Sequence, residues 1–185
     1  MEKKLFIITG GPGVGKTTLI DSLQSRGFRV VPEAARKIIK EQVLINGEGL
    51  PWKDKEYYAQ LMLEASILNY RDFVVEGGSE MIFFDRGILD TICYMIMENI
   101  PLPDNLEDLL NNHRYNNNVF ILPPWEEIYK TDSERKQTWE EAVYTFQKMK
   151  QVYTQYGYKV IEVPRIDVVA RRKFIENQVS THISD

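Results

Sequence analysis

The sequence predicts an α/β fold on a five-stranded parallel sheet, and three observations carry that expectation. Short apolar runs alternate with segments of helical periodicity, the pattern left by strands joined through crossover helices. The first run, Leu5-Phe6-Ile7-Ile8, leads straight into a glycine-rich turn that precedes a helical segment. The chain has 185 residues, 43% of them hydrophobic, which suits one globular domain with a substantial core. That domain is expected over residues 1–178, with the polar run 179–185 fraying behind it.

Taken in order, the first expected strand is 4–9. The turn after it, Gly10-Gly11-Pro12-Gly13-Val14-Gly15, closes on Lys16-Thr17-Thr18, which is the spacing of a P-loop. Its glycines let the backbone curl so that N–H groups converge on a β-phosphate, and the next helix adds its positive end. Residues Gly10 to Thr18 are therefore the candidate nucleotide-binding loop. Lys16 is suited to reach the β- and γ-phosphates and Thr17 to ligate Mg²⁺. Gly27 is placed to end the first helix.

The second strand is expected at 28–32, and "VVPEAAR" follows it. Glu33 is either a carboxylate that accepts the proton of an attacking hydroxyl or an acid favoured by the positive end of a helix. Arg36, one turn later, is expected on the same face as a substrate contact. The segment 55–70 puts Tyr58, Leu61, Met62, Ala65 and Leu68 on one helical stripe, which reads as core packing. Before it, Trp52 and Tyr57 are candidates to stack on a substrate ring, and Tyr58 is either a third or a core residue.

"MIFFD", 81–85, is the third strand, and an aspartate closing such a run is the Walker B arrangement, so Asp85 is a candidate Mg²⁺ ligand. Arg86 either clamps a substrate or phosphate oxygen or forms a salt bridge capping helix 88–98. The fourth strand is 118–122, stopped by Pro123-Pro124. The next residues mix acids with Lys130, Arg135 and Lys136, which suits a lid over about 124–140 that brings Arg135 and Lys136 to the transferring phosphoryl; a capped helix start is the alternative. A second amphipathic stripe at 138–156 and a fifth strand at 158–163 complete the sheet. In "VPRIDVVARR", Pro164 and Arg165 are candidates to lie against the base, whereas Arg171 and Arg172 are either base contacts or solvated helix charges.

Composition narrows the partners. A net charge of −4 disfavours bulk affinity for nucleic acid or anionic membrane. No apolar run approaches the roughly 18 residues of a membrane span. The single cysteine, Cys93, excludes an internal disulfide, and a cytoplasmic location is expected.

"RVVPEAAR", "FFDRGILDT" and "ILPPWEEIYKTDSERKQ", together with the P-loop, resemble the small P-loop ATPase/kinase family that groups the kinase domain of NadR-type nicotinamide riboside kinases with AAA-type predicted ATPases. The resemblance runs from about residue 4 to about 175. It implies strand order 2-3-1-4-5 with helices on both faces, Mg²⁺ with ATP or GTP at residues 10–18, and a lid around Arg135. By analogy with nucleoside kinases it puts Glu33 at the substrate-side carboxylate position. Two activities fit such a family: phosphoryl transfer to a small hydroxyl-bearing metabolite, or a nucleotide-dependent switch or slow NTPase that controls a protein partner.

Overall fold

Every residue of β1 (Leu5–Gly10) is buried, as the middle strand of a parallel sheet requires. The protein is seen in a computed structural model that describes residues 4–75, 80–128 and 138–180. Its sheet contains β1, β2 (Arg29–Val31), β3 (Ile82–Asp85), β4 (Asn118–Leu122) and β5 (Lys159–Glu162), in the order β2-β3-β1-β4-β5. The order expected from the family resemblance is the one found. β1 pairs in parallel with β3, Ile8 opposite Asp85, and with β4, Gly10 opposite Leu122. β2 and β5 are each two residues shorter than expected, one at either end. Pro32 has no N–H to extend a ladder, and Gly157, at φ 81°, turns the chain just before β5.

The chain divides into two compact units. The first comprises Met1–Val30, Glu80–Asp85 and Tyr115–Asp185 and holds most of the sheet. Here α1 (Lys16–Gln24) packs with α7 (Val168–Ser180), and their apolar faces meet Phe6, Ile8, Phe83, Phe120 and Val163 in one core. Asp21 lies exposed on α1, and Gly27, at φ 89°, ends the turn that follows the helix. α6 (Trp139–Gln155) starts at a capping box: Thr138 Oγ1 accepts from the Glu141 N–H at 3.2 Å, and the Thr138 N–H donates to Glu141 Oε2 at 2.6 Å.

The second unit, Val31–Ser79 and Arg86–Arg114, holds α2 (Ala34–Leu44), α3 (Lys55–Val75), α4 (Ile88–Met97) and α5 (Leu106–Asn112). Ile38, Tyr58 and Met62 form its small core, with Leu61 and Ala65 packed beside them. Leu68, expected in the same stripe, is 57% exposed. Ten residues beyond Tyr58, a helix of 3.6 residues per turn has rotated by about 80° away from the stripe. The far end of α3 is secured instead by Tyr70, whose hydroxyl donates to the Arg114 carbonyl at 2.7 Å. Cys93 is buried in α4 as a small apolar residue, with no disulfide.

Gly10 couples this fold to the glycine-rich turn. It sits at φ 149°, and a Cβ there would stand 2.9 Å from the Leu122 carbonyl oxygen of β4. Strained backbone plus a contact with backbone costs on the order of 1–3 kcal/mol. Gly10→Ala is accordingly expected to lower the melting temperature by several degrees in a thermal scan. An unchanged transition would show that the strand end tolerates a side chain.

Candidate functional site

The glycine-rich loop belongs wholly to the first unit. Gly13 and Gly15 have φ of 79° and 80°, left-handed values that glycine reaches without steric cost, so the chain curls back before α1 begins. Gly15 is the N-cap of α1 and offers no side chain to it, and the first turn carries no acidic residue. The opening N–H groups of the helix are thus left for an anion. Val14 is buried, whereas Pro12, Thr17 and Thr18 are exposed at the loop and helix start.

Lys16 is 7% exposed and its Nζ pairs with Asp85 Oδ1, the last residue of β3. The register explains the meeting: β3 lies beside β1, so the carboxylate at its end arrives at the loop that leaves β1. The adjacent Lys16 and Thr17 and the distant Asp85 therefore belong to one compact unit.

A second cluster lies in the other unit. Arg86 adopts φ 75°, unusual for a residue with a side chain. Its Nε donates to Glu33 Oε1 at 2.6 Å and its Nη1 to Asp90 Oδ1 at 3.3 Å. Asp90 also accepts the Gly87 N–H at 2.7 Å, so one carboxylate secures both the start of α4 and the guanidinium. Glu33 is the N-cap of α2, yet its side chain makes no capping bond; the carboxylate is directed to Arg86. Tyr58 packs nearby, its phenol pushed up to about 12, first by burial and then by the charge of Glu33, with Arg86 opposing. It is therefore an uncharged hydroxyl at any physiological pH.

The remaining candidates are scattered. Arg36 is exposed on α2 and takes no part in the Glu33 cluster. The shared face expected for the two does not arise, because Glu33, with ψ 128°, precedes the helix and does not follow its periodicity. Trp52 is 65% exposed and Tyr57 41%. Arg165, exposed, donates from Nε to the Pro124 carbonyl at 2.7 Å, and Arg172 pairs with Glu176 at 2.5 Å. Lys130, Arg135 and Lys136, with most of the expected lid, lie outside the described residues.

One residue, Asp90, was missed in the sequence, and the contact of another, Arg171, was not foreseen. Asp90 was signalled only by its spacing of four from Arg86, the spacing of a helical ion pair. Arg171 is 5% exposed, not a solvated helix charge: its Nη1 donates to the Val14 carbonyl in the loop at 3.0 Å. No local pattern marks that contact, which spans 157 positions.

No curated protein matches the chain. Solved structures do. A deoxyadenosine kinase from M. mycoides, solved with dCMP and dCDP, aligns over 96% of this chain and 99% of its own at 19% identity, with a TM-score of 0.64. NadR protein in complex with NR aligns over 89% of this chain at 22% identity and a TM-score of 0.66; the match spans about half of it, 47%. A thymidylate kinase from Ehrlichia chaffeensis aligns over 95% of this chain and 97% of its own, at 15% identity and a TM-score of 0.62. At these identities the likeness is one of fold, the P-loop fold with its 2-3-1-4-5 sheet. The AAA domain family matches residues 5–171, nearly the whole length, so the chain belongs to the AAA domain family.

Proposed function

We propose that the protein is a Mg²⁺-dependent phosphotransferase that passes the γ-phosphoryl of ATP or GTP to a hydroxyl of a small nucleoside-like acceptor. The observation that carries this reading is the Glu33–Arg86–Asp90 cluster. A carboxylate is withheld from its own helix end and held by an arginine in strained backbone, an arrangement that costs energy and that packing alone does not need. Two of the folds aligned above belong to kinases named for a nucleoside and a nucleotide, the deoxyadenosine and thymidylate kinases, which supports an acceptor of that class.

In this reading residues 10–18 hold the triphosphate, and Lys16 neutralises charge at the β- and γ-oxygens. The Thr17 hydroxyl and the Asp85 carboxylate are hard oxygen donors that would hold Mg²⁺, which would supply positive charge to offset that of the phosphates. Glu33 takes the proton of the acceptor hydroxyl as its oxygen bonds to the γ-phosphorus; the bond from that phosphorus to the bridging oxygen breaks, and the nucleoside diphosphate leaves with the electron pair. Arg86, Arg36 and Arg135 offset the charge that develops, and Trp52 supplies an aromatic face for the acceptor ring. We place all of this in a single domain, residues 1–178, with a lid over about 124–140, working in the cytoplasm.

The test is ADP and GDP release with Mg²⁺, measured with each triphosphate alone and then with a panel of nucleosides and ribosides, Lys16→Ala serving as blank. Stimulation by one compound, with a product heavier by one phosphoryl group, is the expected result. Firm nucleotide binding with slow turnover that no compound changes would overturn the kinase reading in favour of a switch acting on a protein partner.

A further inference from the structure

Arg171 reaches the glycine-rich loop from α7 and is held there on three sides. Nε donates to the Ile166 carbonyl at 2.9 Å, Nη1 donates to the Val14 carbonyl at 3.0 Å, and the guanidinium carbon lies 4.6 Å from the centre of the Trp125 ring. The cation–π contact with the indole and the two hydrogen bonds together fix the position of the guanidinium. A Cβ on Gly15 would come within 3.0 Å of Nη1 and 3.4 Å of Ile128 Cδ1, so this side of the loop is closed by protein.

The consequence lies in the peptide joining Val14 to Gly15. That unit is planar and trans, so its carbonyl and its N–H point in opposite directions. With the carbonyl drawn to Arg171, the Gly15 N–H is turned away from that guanidinium. A charge-assisted bond to the carbonyl also polarises the peptide and makes its N–H a stronger donor. Burial draws the guanidinium down from its ordinary value while Asp167 opposes the shift, and an arginine stays cationic throughout.

We propose that Arg171 is a positioning residue for phosphate binding: by holding the Val14 carbonyl it aims and strengthens the Gly15 N–H as a donor to a nucleotide phosphate. This rests on the nucleotide site of the function proposed above but not on phosphoryl transfer. It assigns Trp125 the part of a platform that holds the planar guanidinium in place, a contact and a fork of donors that lysine does not reproduce. Arg172, the next residue on α7, pairs with Glu176 and serves as a control for loss of charge.

The experiment is equilibrium titration of the full chain with ADP, and separately with adenosine, by calorimetry. Arg171→Met is expected to weaken ADP about tenfold or more and Arg171→Lys several-fold, with adenosine affinity unchanged and Arg172→Gln within twofold of wild type. The Gly15 amide proton, followed by NMR, should move downfield on ADP addition in the wild type and less so in Arg171→Lys. That readout would not move if Arg171 merely stabilised the fold, and it decides the matter should Arg171→Met fail to fold. Wild-type ADP affinity in both Arg171 variants, or an unaltered Gly15 shift in Arg171→Lys, would overturn this inference alone. A wild-type chain that does not bind ADP would sink it together with the nucleotide site. Normal ADP binding with no phosphorylated acceptor would remove only the kinase reading.

Discussion

Lys16→Ala is expected to reduce nucleotide turnover on the order of 10²–10³-fold, read as diphosphate release at saturating Mg²⁺ and triphosphate. The ammonium is nearly buried and paired with Asp85, so its removal has two effects. In our proposal the γ-phosphoryl loses its compensating charge in the transition state, and the Asp85 carboxylate loses the cation that offsets it. In our proposal that carboxylate serves the same phosphates through Mg²⁺, so without the lysine it repels the nucleotide. The double variant Lys16→Ala/Asp85→Ala should therefore recover part of the nucleotide affinity lost in Lys16→Ala while turnover stays low. Strict additivity of the two changes in affinity would show that the pair does not act on a common ligand. Turnover at the wild-type rate in Lys16→Ala would remove the glycine-rich loop from the chemistry.

Glu33→Gln carries the second large expectation: turnover falls about 10²-fold or more, while the dissociation constant for ADP stays within about twofold. The structure makes this a clean change. Glutamine keeps an Oε1 that can accept from Arg86 Nε, now at 2.6 Å, so the arrangement of the cluster is preserved and the ability to take a proton is lost. Kinetics and denaturation on the same preparation separate the outcomes. If turnover is unchanged and only the melting temperature drops, Glu33 is a structural partner of Arg86 and the proposed base lies elsewhere.

How much of this was legible depended on how far apart in sequence the cooperating residues lie. The glycine-rich loop is nine consecutive residues whose conformation follows from their own φ and ψ preferences, so Gly10 to Thr18 announced itself. The end of the third strand at Asp85 was legible for a similar reason, since a buried apolar run closing on an acid is a local pattern. Glu33 was picked out, but its partner was misjudged. A helical face was assumed for Glu33 and Arg36, whereas the N-cap conformation of Glu33 turns its carboxylate to Arg86, 53 positions away.

The sequence by itself determined the α/β class, the five strands to within a residue or two and, through the family it resembles, their order. Alternating apolar runs can bury themselves in few other ways, and the connections are constrained by handedness. Only the tertiary structure decided which charges are buried. Arg171 and Arg172 are neighbours of identical chemistry on one helix, yet one is enclosed against Val14, Gly15 and Trp125 while the other pairs along its own helix with Glu176. A step of about 100° around α7 separates them, and which side of that helix meets α1 and the loop is set by packing over the whole core. The left-handed conformation of Arg86 has the same origin: no residue near it requires φ 75°, and the contacts with Glu33 and Asp90 that hold it there exist only once the chain has folded.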